Sequence, residues 1–242
     1  NYAEPRDISM AWIINGFRSL KGLDLTTSAG PKMKLKYRIH TKEPLFVNMT
    51  DDTSKRPFHR IDTETEAGLE LLRDFCNYET SINRGEPVTI VCKDNAKVEF
   101  LPKEKVYKGK VRLFNEIDLS INMLLKKYFG YILESMITNH VDCIYAIGYN
   151  PYLDATHYNR EMERGVGELI STDFESLDKT IPDYLIQRFV RTTLYNKPPE
   201  VQEAIAKTLS FTIHNMDGHL YTVNGGNESG SYVTTMLNCF CV

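Results

Sequence analysis

Asp173 and Asp178 lie five positions apart in Ser171-Thr172-Asp173-Phe174-Glu175-Ser176-Leu177-Asp178, where a strand end is expected to run through a turn into a helix. A carboxylate at a strand end can hold a divalent cation against phosphates, and two such cations stabilise the attacking and leaving oxygens of phosphoryl transfer. A second carboxylate beyond the turn is placed to accept a bond from a sugar hydroxyl. Taken alone, the pair equally describes solvated turn and cap aspartates, which are far commoner. A Gly/Ser loop, Gly225-Gly226-Asn227-Glu228-Ser229-Gly230, opens a helix and offers backbone N–H groups to a phosphate or carbonyl. Thr234 and Asn238 are four apart, so their polar tips share one side of that helix. A surface loop before a helix with two polar residues would look the same. The third group is a basic strip: Lys93, Lys97, Lys103, Lys105, Lys108, Lys110 and Arg112 against Asp94, Glu99 and Glu104. Lys110 and Arg112 are expected to alternate along a strand, presenting a point charge and a bidentate anion ligand on one face. A solvated charged hairpin is the plain alternative.

The elements that carry these groups follow from hydrophobic periodicity. Residues 8–20, with Ile8, Trp12, Ile13, Phe17 and Leu20, are expected to form a short amphipathic helix. Lys32 to Arg38 alternates charge with Met33, Leu35 and Tyr37, which predicts a strand with one cationic face. A helix is expected over 64–77, and a short strand from Val88 to Cys92 leads into the basic strip. Apolar residues from Ile121 to Leu133 recur at helical spacing and predict a long, buried helix over 117–137. Gly148-Tyr149-Asn150-Pro151 marks a turn before a polar helix reaching about Arg164, and Glu168 to Asp173 reads as a strand. Pro182 suits the first position of a helix ending near Asn196, and Pro198-Pro199 opens another. Phe211–His214 and His219–Val223 flank Asn215-Met216-Asp217-Gly218 as a hairpin. From Tyr232 to Cys241 a helix is expected to run on without a cap, the mark of a truncated chain. The polar N-terminus, with neither initiator Met nor signal peptide, points to an internal start within a longer polypeptide.

Composition sets outer limits. The 242 residues are 42% hydrophobic and 25% charged, enough for a sizeable core in one large domain or two interleaved ones. No apolar run reaches the roughly eighteen residues of a membrane span. Net charge is -3, yet the basic strip and a second cluster, Lys32, Lys34, Lys36 and Arg38, provide local fields that attract polyanions. Cys76, Cys92, Cys143, Cys239 and Cys241 form no C-x-x-C and read as reduced, mostly buried thiols of a cytosolic protein. The six histidines lack metal-ligand spacing, so a structural metal site is not expected. Neither a P-loop nor a Ser/His/Asp triad can be assembled.

In order along the chain, the basic strip, D-x4-D and S-G-x3-T-x3-N resemble the picornavirus-like RNA-dependent RNA polymerases of positive-strand RNA viruses. Leu23-Asp24-Leu25-Thr26-Thr27-Ser28-Ala29-Gly30 resembles that family's LDL(S/T)TSAG fingers segment, and Lys93-Asp94 its KDE start of motif F. The resemblance implies an α+β, right-hand polymerase fold of fingers and partial palm, truncated before palm motif C and the thumb. Fingers are expected over 1–129, including motif F at about 93–112, and palm with motif A over 130–210. A fingers hairpin is expected over 211–227 and the start of the motif B helix over 228–242.

The implied function is template-directed RNA synthesis from ribonucleoside triphosphates on an RNA template and primer, with Mg2+ or substituting Mn2+ as cofactor. The implied location is host cytoplasm, at replication complexes with other viral replication proteins. By position, Asp173 resembles the catalytic, metal-binding aspartate of motif A, and Asp178 the residue that senses the ribose 2′-OH. Ser229 and Gly230 match the motif B loop that cradles template and nascent base pair; Thr234 and Asn238 complete, with Asp178, the ribose-selecting network. Lys105, Lys110 and Arg112 fall among the triphosphate-gripping residues of motif F, with Lys93 on its template side.

Three departures stand out. Glu228 precedes Ser229 where many members carry proline, the strip between Asp94 and Lys105 is longer than usual, and no Gly-Asp-Asp follows motif B. Without that second carboxylate the chain alone is expected not to polymerise. Two other readings are a reverse transcriptase-like polymerase, against which Asp178 with Asn238 argues, and a non-catalytic RNA-binding relative.

Overall fold

A computed structural model describes residues 6–50, 57–142, 145–164, 173–174 and 176–242. Helix α1 (Met10–Asn15) starts at Ser9, whose Oγ accepts from the Trp12 N–H, and stops at Gly16, where φ is 89°. The chain turns straight back as β1 (Gly16–Phe17) and β2 (Leu20–Lys21). The helix expected over 8–20 is therefore one short helix plus a hairpin, because Gly16 adopts a backbone conformation that leaves the helix.

The strand expected from Lys32 to Arg38 is also a helix, α2 (Pro31–Tyr37). Pro31 at its first turn presets a helical φ. Met33 is buried while Leu35 is 71% exposed. A strand would have put those two residues on one face, and a helix separates them. Lys32 and Lys36, one turn apart, both reach Glu70. Strands β3 (Phe46–Asn48) and β4 (His59–Ile61) pair antiparallel and lead into α3 (Glu66–Asn83), capped by Thr65.

The core is helical. Helix α3 packs on α5 (Leu119–Thr138), and α8 (Asp183–Thr193) packs on α9 (Pro199–Ser210). Leu71, Phe75, Met123, Tyr128, Phe129, Ile186 and Phe189 are among the residues buried between them. The Phe129 and Phe189 rings stack at 5.4 Å, and Phe240 meets Phe189 edge-on at 5.6 Å. Smaller helices are α4 (Lys103–Tyr107), α6 (Ala155–Glu163), α7 (Leu177–Thr180) and α10 (Thr234–Cys241).

Beside this core lies a four-stranded sheet of β5 (Ile90–Ala96), β6 (Leu113–Glu116), β7 (Phe211–Met216) and β8 (His219–Asn224). Its order is β6-β5-β7-β8; β5 and β7 run parallel and the other neighbours antiparallel. The β7–β8 register places Met216 opposite His219, leaving Asp217 (φ 50°) and Gly218 (φ 92°) as a two-residue loop. Positive φ at both positions is what a type I′ hairpin turn requires, as the Asp-Gly pair predicts.

The strand expected to carry Lys110 and Arg112 begins only at Leu113. Lys105 lies on α4 instead, whose end is closed by the Lys110 N–H donating to the Lys105 carbonyl at 2.9 Å. One backbone bond, Lys97 N–H to the Arg112 carbonyl at 2.8 Å, extends the β5–β6 ladder to Arg112. The strand expected from Glu168 lies outside the described residues, apart from Asp173. Cys92 is buried, Cys76 is exposed, and Cys239 and Cys241 are half-buried; Cys143 is outside the described residues. The expectation of mostly buried thiols therefore fails: Cys76 sits on the outer face of α3, away from the core side held by Leu71 and Phe75. Among the described residues no helix is long and apolar enough to cross a membrane.

Candidate active site

Helix α7 opens at Ser176, whose φ of 58° turns the chain sharply and sets Asp178 in the first helical turn. Asn238, on α10, donates from Nδ2 to Asp178 Oδ1 at 2.7 Å. The expected meeting of Asp178 and Asn238 is thus present in the structure. A third residue completes it: Asn227 Nδ2 donates to Asn238 Oδ1 at 2.8 Å and to the Thr234 carbonyl at 2.9 Å. The Asn227 N–H donates to the Asp178 carbonyl at 2.7 Å. Because Asn227 occupies the oxygen of the Asn238 amide, the amide nitrogen is left for Asp178. Thr234 joins the network through its backbone; its hydroxyl lies 2.5 Å from the Glu228 carbonyl and 2.7 Å from that of Ser231, sharing its one proton between them and bracing the loop.

That loop is tied along its length. Gly225 and Gly226 donate their N–H groups to the Ser210 and Ile181 carbonyls, each at 2.7 Å. Ser229 Oγ accepts from the Asn115 N–H at 3.0 Å and lies 3.3 Å from Asn115 Oδ1. Asn122 Nδ2 donates to the Gly230 carbonyl at 3.0 Å, and its Oδ1 accepts from the Tyr232 N–H at 2.8 Å. A Cβ at Gly230 would stand 2.0 Å from the Asn115 carbonyl oxygen, so only glycine permits this approach. Asp178, Asn115, Ser229, His214 and Glu228 face one cavity of about 300 Å³.

Beneath the cavity Asp94, on β5, is buried and accepts from Asn115 Nδ2 (2.7 Å), His214 Nδ1 (2.9 Å) and the Tyr221 hydroxyl (2.5 Å). Burial alone would raise the Asp94 pKa, but these three donors outweigh it and hold the carboxyl below its ordinary value. For His214 burial works downward, and the bonds to Glu228 and Asp94 overcome it, favouring the imidazolium.

The basic strip is a different environment. Lys103, Lys105, Lys108 and Lys110 are exposed, and none forms an ion pair among the described residues. Arg112 stands 3.3 Å from Glu99, which Lys97 also approaches at 3.7 Å. Lys93, half-buried on β5, faces Glu116 across the ladder. Lys105, Lys110 and Arg112 make no hydrogen bond or ion pair with Asp178, Ser229 or Asn238; the strip reaches the site through Asn115 on the strand that follows it. Asp173 is exposed and has no hydrogen bond or ion pair among the described residues. Sequence reasoning missed Asn115, Asn122 and Asn227. Asn227 could have been suspected from its place inside the Gly/Ser loop; the other two carry no local signal.

Comparison with known proteins places this arrangement. A solved chain described as Sicinivirus 3Dpol RNA dependent RNA polymerase superposes with a TM-score of 0.77 at 19% identity, covering 99% of this chain and 48% of that one. The fold is that of a viral polymerase right hand, α+β as expected. The chain belongs to the viral RNA-dependent RNA polymerase family, whose profile matches residues 13–242. It is 25% identical over 242 residues to the genome polyprotein of avian encephalomyelitis virus (strain Van Reokel), covering 98% of this chain and 10% of the polyprotein. It is 27% identical over 241 residues to the RNA1 polyprotein of tomato torrado virus, covering 93% of this chain and 10% of that one. The chain thus spans about a tenth of these curated relatives and about half of the solved polymerase.

Proposed function

We propose that this chain is the fingers and front palm of a positive-strand RNA virus polymerase that synthesises RNA on an RNA template from ribonucleoside triphosphates. The observation that carries the reading is the hydrogen-bonded row Asn227–Asn238–Asp178, of which Asn227 and Asp178 line the cavity. A ribose 2′-OH both donates and accepts, and a fixed carboxylate beside a fixed amide answers both roles, which a deoxyribose cannot use. Fingers are assigned to 1–129 and 211–227, and palm to 130–210 and 228–242; the sheet that joins β5 to the 211–224 hairpin supports that grouping.

Asp173 is assigned the catalytic metal-binding role. It presents one exposed carboxylate, a hard oxygen ligand of the kind Mg2+ takes alongside water and substrate phosphates. Mg2+, or Mn2+ in its place, would supply charge neutralisation at the phosphates undergoing transfer. The chain's own residues do the rest. Asp178 and Asn238 orient the sugar. Ser229 and Gly230, fixed on Asn115, hold the loop against the nascent pair. Lys105 and Lys110 offer uncommitted charge to the triphosphate, Arg112 joins them from its pairing with Glu99, and Lys93 offers charge on the template side. Binding and positioning of this kind supply a large part of the acceleration in phosphoryl transfer. The working location is the host cytoplasm, at replication complexes with other viral replication proteins.

The test is primer extension with Mg2+ and four ribonucleotides, using the longer protein that contains this chain. Asp173→Ala is expected to lower extension by roughly 1,000-fold or more, the scale of several kcal/mol of charge stabilisation. Asp178→Ala is expected to leave extension measurable and to cut ribose-over-deoxyribose preference about 10- to 100-fold, the value of a hydrogen bond to a charged group. Wild-type rates in Asp173→Ala would sink the catalytic assignment. A folded, RNA-binding longer protein without extension would mark a non-catalytic relative.

A further inference from the structure

Cys92, His214 and Glu228 come from three separate segments, β5, β7 and the loop before α10, and all three are buried. Their ligand atoms lie within 4.8 Å of one another, the one such group of three among the described residues. His214 Nε2 is 3.1 Å from Glu228 Oε1, and its other nitrogen, Nδ1, donates to Asp94 at 2.9 Å. The near nitrogen faces a thiol, a second carboxylate and the Thr212 hydroxyl at 3.0 Å, while the far one is held by a carboxylate, as is usual for a metal-bound histidine. The Asp94–His214–Glu228 bonds alone could describe an imidazolium between two carboxylates. The Cys92 thiol, fully buried, is hydrogen-bonded to the same Glu228 carboxylate, so sulfur, imidazole and carboxylate all converge on one point.

We propose that Cys92, His214 and Glu228 bind a divalent cation of borderline softness, of the zinc class, with Asp94 orienting His214. Mixed sulfur, nitrogen and carboxylate donors select this class, whereas Mg2+ and Ca2+ take oxygen. Three protein ligands leave a fourth position. His214 and Glu228 line the cavity of about 300 Å³, which provides the entry path and the room for water in that position. Binding displaces the thiol proton of Cys92 and the proton on His214 Nε2, and both leave to solvent as the metal–sulfur and metal–nitrogen bonds form. The bound cation would staple the Gly225–Gly230 loop to the sheet through Glu228. This site involves none of the residues assigned to catalysis, so it stands or falls apart from the polymerase reading.

The test is titration of the purified, metal-free protein with Co2+, followed by the visible absorption of thiolate-bound tetrahedral cobalt, then displacement by Zn2+. One equivalent should produce the band, and Zn2+ should abolish it. Cys92→Ser should lose the band and Cys76→Ser, at an exposed cysteine, should keep it. Asp94→Asn should weaken binding about 10- to 100-fold, the usual cost of losing such an orienting partner. Glu228→Gln, isosteric and so spared gross repacking, should also weaken it. A folded wild-type protein with no thiolate–cobalt band overturns the proposal. So does a band that survives Cys92→Ser, or one whose affinity is unchanged in Glu228→Gln.

Discussion

The two lysine-rich stretches of this chain look alike in sequence and differ in what surrounds them. In α2, Lys32 reaches Glu70 and Asp74, Lys34 reaches Glu116 at 2.6 Å, and Lys36 reaches Glu70. Their charge is spent on holding α2 against α3 and β6. Along the strip, Lys103, Lys105, Lys108 and Lys110 project into solvent without an acidic partner among the described residues. Only uncompensated charge produces the field that draws a polyanion. A basic run in a sequence therefore says little until the acids that meet it are known. The exposed Phe100 and Tyr107 within the strip add faces on which bases can stack.

The contrast can be broken most forcefully by neutralising the strip. Replacing Lys105, Lys110 and Arg112 together with Ala should reduce the slope of log affinity for RNA against log salt by about 2 to 3, near one per cation. Unfolding free energy should move by less than about 0.5 kcal/mol, as at other solvent-facing positions. An unchanged slope would remove the strip from RNA binding. Glu70→Gln probes the other cluster and should cost about 1 kcal/mol of stability, the scale of ion pairs whose cations stay partly hydrated. Bonds from Lys36, Tyr37 and Lys32 hold the Glu70 carboxyl down to about 2, against an ordinary 4.5. With the folded value depressed, this contribution is complete above 4.5 and is lost as pH falls through about 2. Thermal melts of wild type and Glu70→Gln should accordingly converge over that window; a constant gap would refute the assignment. The finest comparison is Lys36→Ala against Lys110→Ala. The first should barely alter the salt slope, and the second should lower it by roughly 0.7 to 0.9.

The long helices and the β7–β8 hairpin were legible because periodicity and an Asp-Gly turn are local signals. The Asp178–Asn238 contact was legible only through the resemblance, since nothing local joins residues 60 positions apart. Failures cluster where distant partners decide. The alternation from Lys32 to Arg38 matched a strand until Glu70 and Asp74, on α3, favoured a helix with lysines one turn apart. Lys110 and Arg112 looked like strand residues because α4 and its closing turn are held by backbone bonds, ending in Lys110 N–H to the Lys105 carbonyl, that side-chain pattern does not encode. His214 was passed over for want of ligand spacing. Its neighbours Asp94 and Glu228 are 120 and 14 positions away, beyond any motif.

The parallel pairing of β5 with β7 has a consequence for how the protein is made. As the chain leaves the ribosome, β5 emerges with β6 soon after it, but its other neighbour is still to be translated. Val91 pairs with Ile213, and His214 lies 120 residues beyond Asp94. At about 5–20 residues per second, that gap lasts roughly 6–24 s. Throughout it, one edge of β5 is open to any passing strand, and two strands alone are barely stable. The arriving strand closes that edge and carries His214 to Asp94 in the same step, so the polar floor of the cavity is assembled only after the whole stretch between β5 and β7 has been made.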